Sequence, residues 1–123
     1  MKPSPELSQQ IEKYLNHTII VEGKNDALAL KSFGFKKIFI LHKINSSVNN
    51  SIEKILLQIP KKEIVCILTD SDKKGKQLFS QVKKVLQVNG IKVDSALRKL
   101  IAKEGISHIE GLDKFLENQN NEK

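Results

Sequence analysis

The chain has one cysteine, Cys66, so neither a disulfide framework nor a cysteine-ligated metal site can form within a single copy. Cys66 lies in the most apolar stretch and is expected to be an inert core residue. The longest apolar runs are about five residues, far below the roughly 20 that a membrane span requires. No signal-like hydrophobic region follows Met1-Lys2-Pro3-Ser4, so a cytoplasmic location without membrane association is expected. The Asn-x-Ser/Thr triplets at Asn16, Asn45 and Asn49 then read as chance. Aromatic residues are scarce: tryptophan is absent, Tyr14 is the one tyrosine, and the five phenylalanines fall mostly at core-like positions. Single-strand binding through a stacking platform is disfavoured on that ground. Neither a P-loop nor a dinucleotide-binding glycine motif occurs, and no internal repeat, low-complexity segment or linker is found.

What is abundant is positive charge. Lysine and arginine number 21 against 14 acidic residues, a formal net charge of +7. That balance favours anionic partners, nucleic acid first, by neutralising phosphates and releasing counterions. With 39% hydrophobic and 28% charged residues over 123 positions, the composition is that of one ordinary globular domain, long enough for a core and too short for two.

Strand and helix patterns alternate along the chain. Ser4 and Pro5 resemble an N-cap and first helical position, and Leu7, Ile11, Tyr14 and Leu15 recur at helical spacing, so an N-terminal helix packed on the core is expected over residues 1–16. Apolar strands follow at Thr18–Val21, Lys37–Leu41, Ile64–Leu68 and Ile91–Asp94. Between them, helices present Ala27, Leu30 and Phe33, then Val48, Ile52, Ile55, Leu56 and Ile59, then Leu78, Val82, Val85 and Leu86. Ala96, Leu97, Leu100 and Ile101 give a further helix closed by Gly105. Leu112, Phe115 and Leu116 are at helical spacing within Ser107–Glu117, and residues 118–123 are expected to be a disordered tail. Crossovers this long suit parallel pairing, so the fold expected is α/β, a Rossmann-like, mostly parallel four-stranded sheet flanked by helices.

Two of these strands end in carboxylates. Val21 is followed by Glu22-Gly23-Lys24-Asn25-Asp26, and Leu68 by Thr69-Asp70-Ser71-Asp72-Lys73-Lys74-Gly75-Lys76. Residues two apart in extended chain project to one side, so Asp70 and Asp72 can share a small volume. Carboxylates that close repel, and a proton, a cation or a lysine relieves them. In parallel sheets ligands gather at the carboxyl edge of the strands, which would bring Glu22 to the same place. Lys24, Lys73, Lys74 and Lys76 can contact phosphate there or be plain solvated lysines. Gly23 and Gly75 read as turn residues, and Asn25 and Asp26 as helix caps. Asp70 and Asp72 also admit a capping role alone. The paired lysines at 36/37, 61/62 and 83/84, together with Arg98/Lys99, read as surface. His17, His42 and His108 show no metal-ligand spacing, and Glu110 and Asp113 read as a surface helix face unless the tail folds over the site.

Val-Glu-Gly-Lys-Asn-Asp at one strand end and Thr-Asp-Ser-Asp-Lys-Lys-Gly after a later one resemble the Toprim domain, shared by bacterial primases, topoisomerases, certain nucleases and recombination proteins. The resemblance implies a domain over residues 17–117, with Glu22 as general acid/base or metal ligand, and Asp70 and Asp72 holding Mg2+, with Mn2+ as an alternative ion. Among stand-alone members the chain is similar to the small ribonuclease that matures five-S ribosomal RNA, and Ile106-Ser107-His108-Ile109-Glu110-Gly111 loosely resembles a stretch of that enzyme, although the accessory domain is missing. The implied activity is Mg2+-dependent phosphodiester cleavage, RNA favoured over DNA, with room for a protein partner that completes the active site. The alternative is a noncatalytic nucleic-acid-binding or scaffolding module of a repair, replication or RNA-processing complex. A hydrolase of small phosphoesters is a third reading. Topoisomerase and primase activities are disfavoured, since no separate domain supplies a nucleophilic tyrosine, a zinc module or an RNA-polymerase unit.

Overall fold

The computed structural model describes residues 5–112. Helix α1 (Pro5–Tyr14) leads to β1 (Thr18–Val21), α2 (Lys24–Ser32), β2 (Lys37–Ile40), α3 (Val48–Gln58), β3 (Ile64–Leu68), α4 (Lys73–Val88), β4 (Lys92–Asp94), α5 (Ala96–Lys103) and a 3₁₀ turn at Ile109–Gly111. The expected strands and helices form within a residue or two of their sequence limits. The tail opens with the 3₁₀ turn, and Leu112, the first of its expected helical residues, is helical. Ser4, Asp113, Phe115, Leu116 and the segment 118–123 lie outside the described residues.

The four strands form one parallel sheet in the order β2-β1-β3-β4. Alternation along the strands sends side chains to two faces, and each face has its own core. Ile19, Val21, Cys66 and Leu68 meet α1, α2, α5 and the 3₁₀ turn through Leu7, Ile11, Ala27, Leu30, Leu97, Ile101 and Ile109. Ile20, Val65 and Ile67 meet α3 and α4 through Ile52, Ile55, Val82 and Leu86. Burial pushes the Cys66 thiol up to about 12, which suits an inert core residue. Tyr14, buried at the end of α1, donates its hydroxyl to Asp94 Oδ2 at 2.5 Å and so ties the first helix to the last strand.

This winding determines where a site can form. The chain goes from β1 outward to β2 with α2 on one face, then returns past β1 to β3 with α3 on the other face. The strand order therefore reverses between β1 and β3, and the crevice outside their carboxyl ends is the place where such sheets take ligands. Val21 pairs level with Leu68, so the residues after both strands emerge side by side.

Candidate metal centre

Glu22 leaves the end of β1 almost fully buried, at 8% exposure. Its Oε2 accepts the Asp70 backbone N–H at 2.7 Å, a direct tie between the ends of β1 and β3. Burial raises the Glu22 pKa above the usual glutamate value. The Asp70 N–H opposes that shift, and the charges of Asp70, Asp72 and Asp26 add to it.

After β3 the chain bends rather than continuing as a strand, and the bend is held from several sides. Thr69 Oγ1 donates to the Gly75 carbonyl at 2.8 Å. Asp72 is the N-cap of α4, with Oδ1 accepting the Gly75 N–H at 2.7 Å and Oδ2 left facing the site. Gly75 is not in a turn, as its neighbours suggested, but in the first turn of α4. A Cβ on it would lie 1.9 Å from the Asp70 carbonyl oxygen, so helix and bend can pack this closely only over glycine.

The structure also changes the roles expected around Glu22. Gly23 is the N-cap of α2, with an ordinary extended φ of −139°. Asp26 supplies the side-chain cap: it is buried and accepts the Gly23 N–H at 3.0 Å through Oδ2. Asn25 is exposed in the first turn and makes no capping hydrogen bond. Burial raises the Asp26 pKa, the Gly23 N–H opposes it, and Asp70 adds repulsion. Lys24 opens α2, while Lys73, Lys74 and Lys76 lie in the first turn or so of α4. All four are exposed and, among the described residues, none is in an ion pair, so both helix starts bordering the crevice carry free positive charge.

Two residues read as surface or bystander belong to this site. Arg98, on α5, donates from Nε to the Thr69 carbonyl at 3.1 Å and from Nη2 to the Asp70 carbonyl at 2.9 Å, with its guanidinium 4.5 Å over the Phe79 ring. Burial lowers its pKa, and Glu22 and Asp70 pull it back up. His108 arrives just before the 3₁₀ turn. Ser71 donates its N–H (2.9 Å) and Oγ (3.3 Å) to the Ser107 carbonyl, and Ile109 N–H donates to Asp70 Oδ1 at 2.8 Å. The tail is thereby fastened across the bend, and Glu110 sits beside it, exposed. Ligand atoms of Asp70, Asp72 and His108 all lie within 4.8 Å of one another, with Glu22 adjoining through Asp70. Nothing in sequence spacing pointed to His108 or Arg98, since only the tertiary fold brings α5 and the tail to the bend.

The donors suit a hard divalent cation: carboxylate oxygens dominate, and a buried, crowded carboxylate stands beside them. A concavity lined by Thr18, Lys36, Lys37, Gln58, Pro60 and Glu63 lies at the opposite, amino-terminal edge of the sheet and shares none of these residues. No helix among the described residues is long and apolar enough to cross a membrane.

The family model described as the Toprim domain matches residues 17–109. A UPF0292 protein of Pyrococcus abyssi is 37% identical over 98 residues, covering 76% of this chain and 70% of the relative. The DNA primase DnaG of Methanocaldococcus jannaschii is 30% identical over 71 residues, 58% of this chain and 15% of the primase. A solved structure of a protein from Aquifex aeolicus superposes with a TM-score of 0.72 at 27% identity, over 89% of this chain and 98% of that one.

Proposed function

The chain belongs to the Toprim domain family, and from that premise we propose that it is a Mg2+-dependent phosphodiester-processing protein whose activity is nuclease cleavage, with RNA the favoured substrate. Membership carries the coarse part of this reading, metal-dependent processing of nucleic acid. The observation that supports the catalytic part is the juxtaposition of buried Glu22 with Asp70 and Asp72 at the strand-order reversal.

Asp70 Oδ2 and Asp72 Oδ2 would hold the cation, because their other oxygens are occupied by the Ile109 and Gly75 N–H groups. When bound, a divalent ion polarises the phosphodiester and offsets charge on the leaving oxygen. Glu22 is suited to hold and release a proton at its carboxyl oxygen, since its raised pKa brings it nearer neutrality than an exposed glutamate. Arg98 fixes the carbonyls of Thr69 and Asp70 and thus the direction of the Asp70 side chain. Lys24, Lys73, Lys74 and Lys76 bind flanking backbone phosphates, and an open edge with lysines on two helix starts favours a polymer over a small phosphoester.

The test is cleavage of end-labelled structured RNA, single-stranded RNA and DNA duplexes, with Mg2+, Mn2+ or EDTA. Metal-dependent cutting that prefers RNA is expected, and Asp72→Asn should abolish it while leaving the fold intact, because asparagine caps a helix about as well as aspartate. Failure to cut any substrate while the folded wild type binds metal would leave the noncatalytic binding module standing. In either case affinity for nucleic acid should fall steeply with salt: if four lysines neutralise phosphates, the logarithmic slope is about −3 to −4. A flat salt response would remove nucleic acid as the ligand.

A further inference from the structure

We infer that His108 Nε2 is a ligand of the cation that Asp70 and Asp72 hold, and that this nitrogen tilts the centre from Mg2+ towards first-row transition ions, Mn2+ among them. The inference rests on the metal-binding reading of the same site and assigns it a residue that the carboxylate motif does not contain.

The imidazole is placed, not merely near. His108 Nε2 lies 3.6 Å from Asp72 Oδ2, too long for a hydrogen bond and within reach of a shared ion. On the far side of the ring, Nδ1 is 2.8 Å from Ser107 Oγ. With Nδ1–H donated to that hydroxyl, the Nε2 lone pair points at the carboxylates, the usual orienting arrangement of a ligating histidine. The segment carrying the ring is itself fastened to the aspartate bend by Ser71 N–H, Ser71 Oγ and Ile109 N–H. An ion pair is a weak alternative purpose for this arrangement. The His108 and Asp72 side chains are 54% and 46% exposed, and pairs that open to water contribute little. A set of two carboxylates and one imidazole is also chemically distinct from the all-oxygen shell that Mg2+ prefers. Nitrogen donors raise affinity along the series in which Mn2+ and its heavier neighbours exceed Mg2+.

The experiment is Mn2+ titration of the full chain followed by electron paramagnetic resonance, with pulsed detection of ¹⁴N coupling and Mg2+ as competitor. It compares wild type, His108→Ala, Ser107→Ala and Asp72→Asn, with circular dichroism checking each fold. Wild type should bind Mn2+ with one imidazole nitrogen coupled and prefer it to Mg2+. His108→Ala should lose the coupling and about tenfold or more in Mn2+ affinity, with Mg2+ affinity changed far less. Ser107→Ala should weaken Mn2+ binding while keeping the coupling. Mn2+ binding that Asp72→Asn abolishes but that shows no nitrogen coupling, or coupling and affinity unchanged in His108→Ala, overturns the assignment of His108 and leaves the carboxylate site intact. No Mn2+ binding by folded wild type overturns the metal site itself, and the inference with it.

Discussion

Gly75→Ala is expected to lower the melting temperature by on the order of 10 °C and to abolish metal binding, although glycine to alanine inside a helix ordinarily stabilises by about 1 kcal/mol. The reversal comes from what faces the position. The added Cβ would sit 1.9 Å from the Asp70 carbonyl oxygen and 2.6 Å from its carbon, and both are backbone atoms that cannot rotate away. Either α4 lifts off the bend or the bend moves. Each response strains the Asp72 cap on the Gly75 N–H and the Thr69 hydroxyl bond to the Gly75 carbonyl. Overpacking of about 3 kcal/mol plus partial loss of two hydrogen bonds of about 1 kcal/mol each outweighs the helical gain. Gly23→Ala is the matched control. Its Cβ would meet only Asp26 Oδ2 at 3.8 Å, and its backbone is already in a conformation open to alanine, so a loss of about 1 kcal/mol or less is expected. Thermal melts of the two variants against wild type decide the matter, and a Gly75→Ala protein as stable as wild type would mean that the bend is soft and does not fix Asp70.

The architecture was legible because it is written in local patterns. Strands such as Ile64–Leu68 are continuous apolar runs, the mark of a sheet covered on both faces, and the helix over Val48–Gln58 repeats its apolar residues at helical spacing. The carboxyl-edge rule alone puts Glu22 beside Asp70, since both follow parallel strands. Less legible were contacts decided by tertiary approach. Gly75 reads as a turn glycine because nothing in sequence shows that the Asp70 carbonyl, five positions earlier, packs against it. Gly23 has the sequence setting of a turn residue, whereas its ordinary φ makes it a simple N-cap whose N–H goes to Asp26.

The misplacement of Arg98 and His108 has one physical origin. Both lie on segments after the last strand, and such segments carry no sequence signal for which sheet edge they will cover. The apolar residues Leu97, Leu100, Ile101, Ile106 and Ile109 pack α5 and the tail onto the face already occupied by α1 and α2. That packing carries Arg98 to the carbonyls at the end of β3 and His108 to Asp72. A polar residue flanked by core residues, as Arg98 is by Leu97 and Leu100, is therefore held close to whatever strand end its helix crosses, and doubled basic residues are a poor reason to call it surface.

Glu22→Gln is expected to cut cleavage by at least about a hundredfold while making the metal-free protein more stable at neutral pH. The two effects share a cause. Burial first, and the Asp70, Asp72 and Asp26 charges after the opposing Asp70 N–H, hold the Glu22 pKa above its ordinary value. A raised carboxyl pKa means that the folded state binds the proton more tightly than the unfolded state. Its favourable contribution is complete below the unfolded pKa and is lost as pH rises through the folded one, so the ionised carboxylate costs stability at neutral pH. Glutamine keeps an oxygen to accept the Asp70 N–H and carries no charge, for a gain of about 1 kcal/mol, the size common when a strained functional residue is relieved. That gain should shrink as pH falls from neutrality and wild-type Glu22 takes up its proton, which it does at higher pH than an exposed glutamate. Divalent ion should reverse the order, because a cation at Asp70 and Asp72 favours ionised Glu22 beside them and so stabilises wild type more than the variant. Paired melts across that pH range, in EDTA and then with Mg2+ or Mn2+, test each step. A variant less stable than wild type at neutral pH in EDTA would show that the hydrogen bond to ionised Glu22 outweighs its burial, and the case for Glu22 as a proton carrier would go with it.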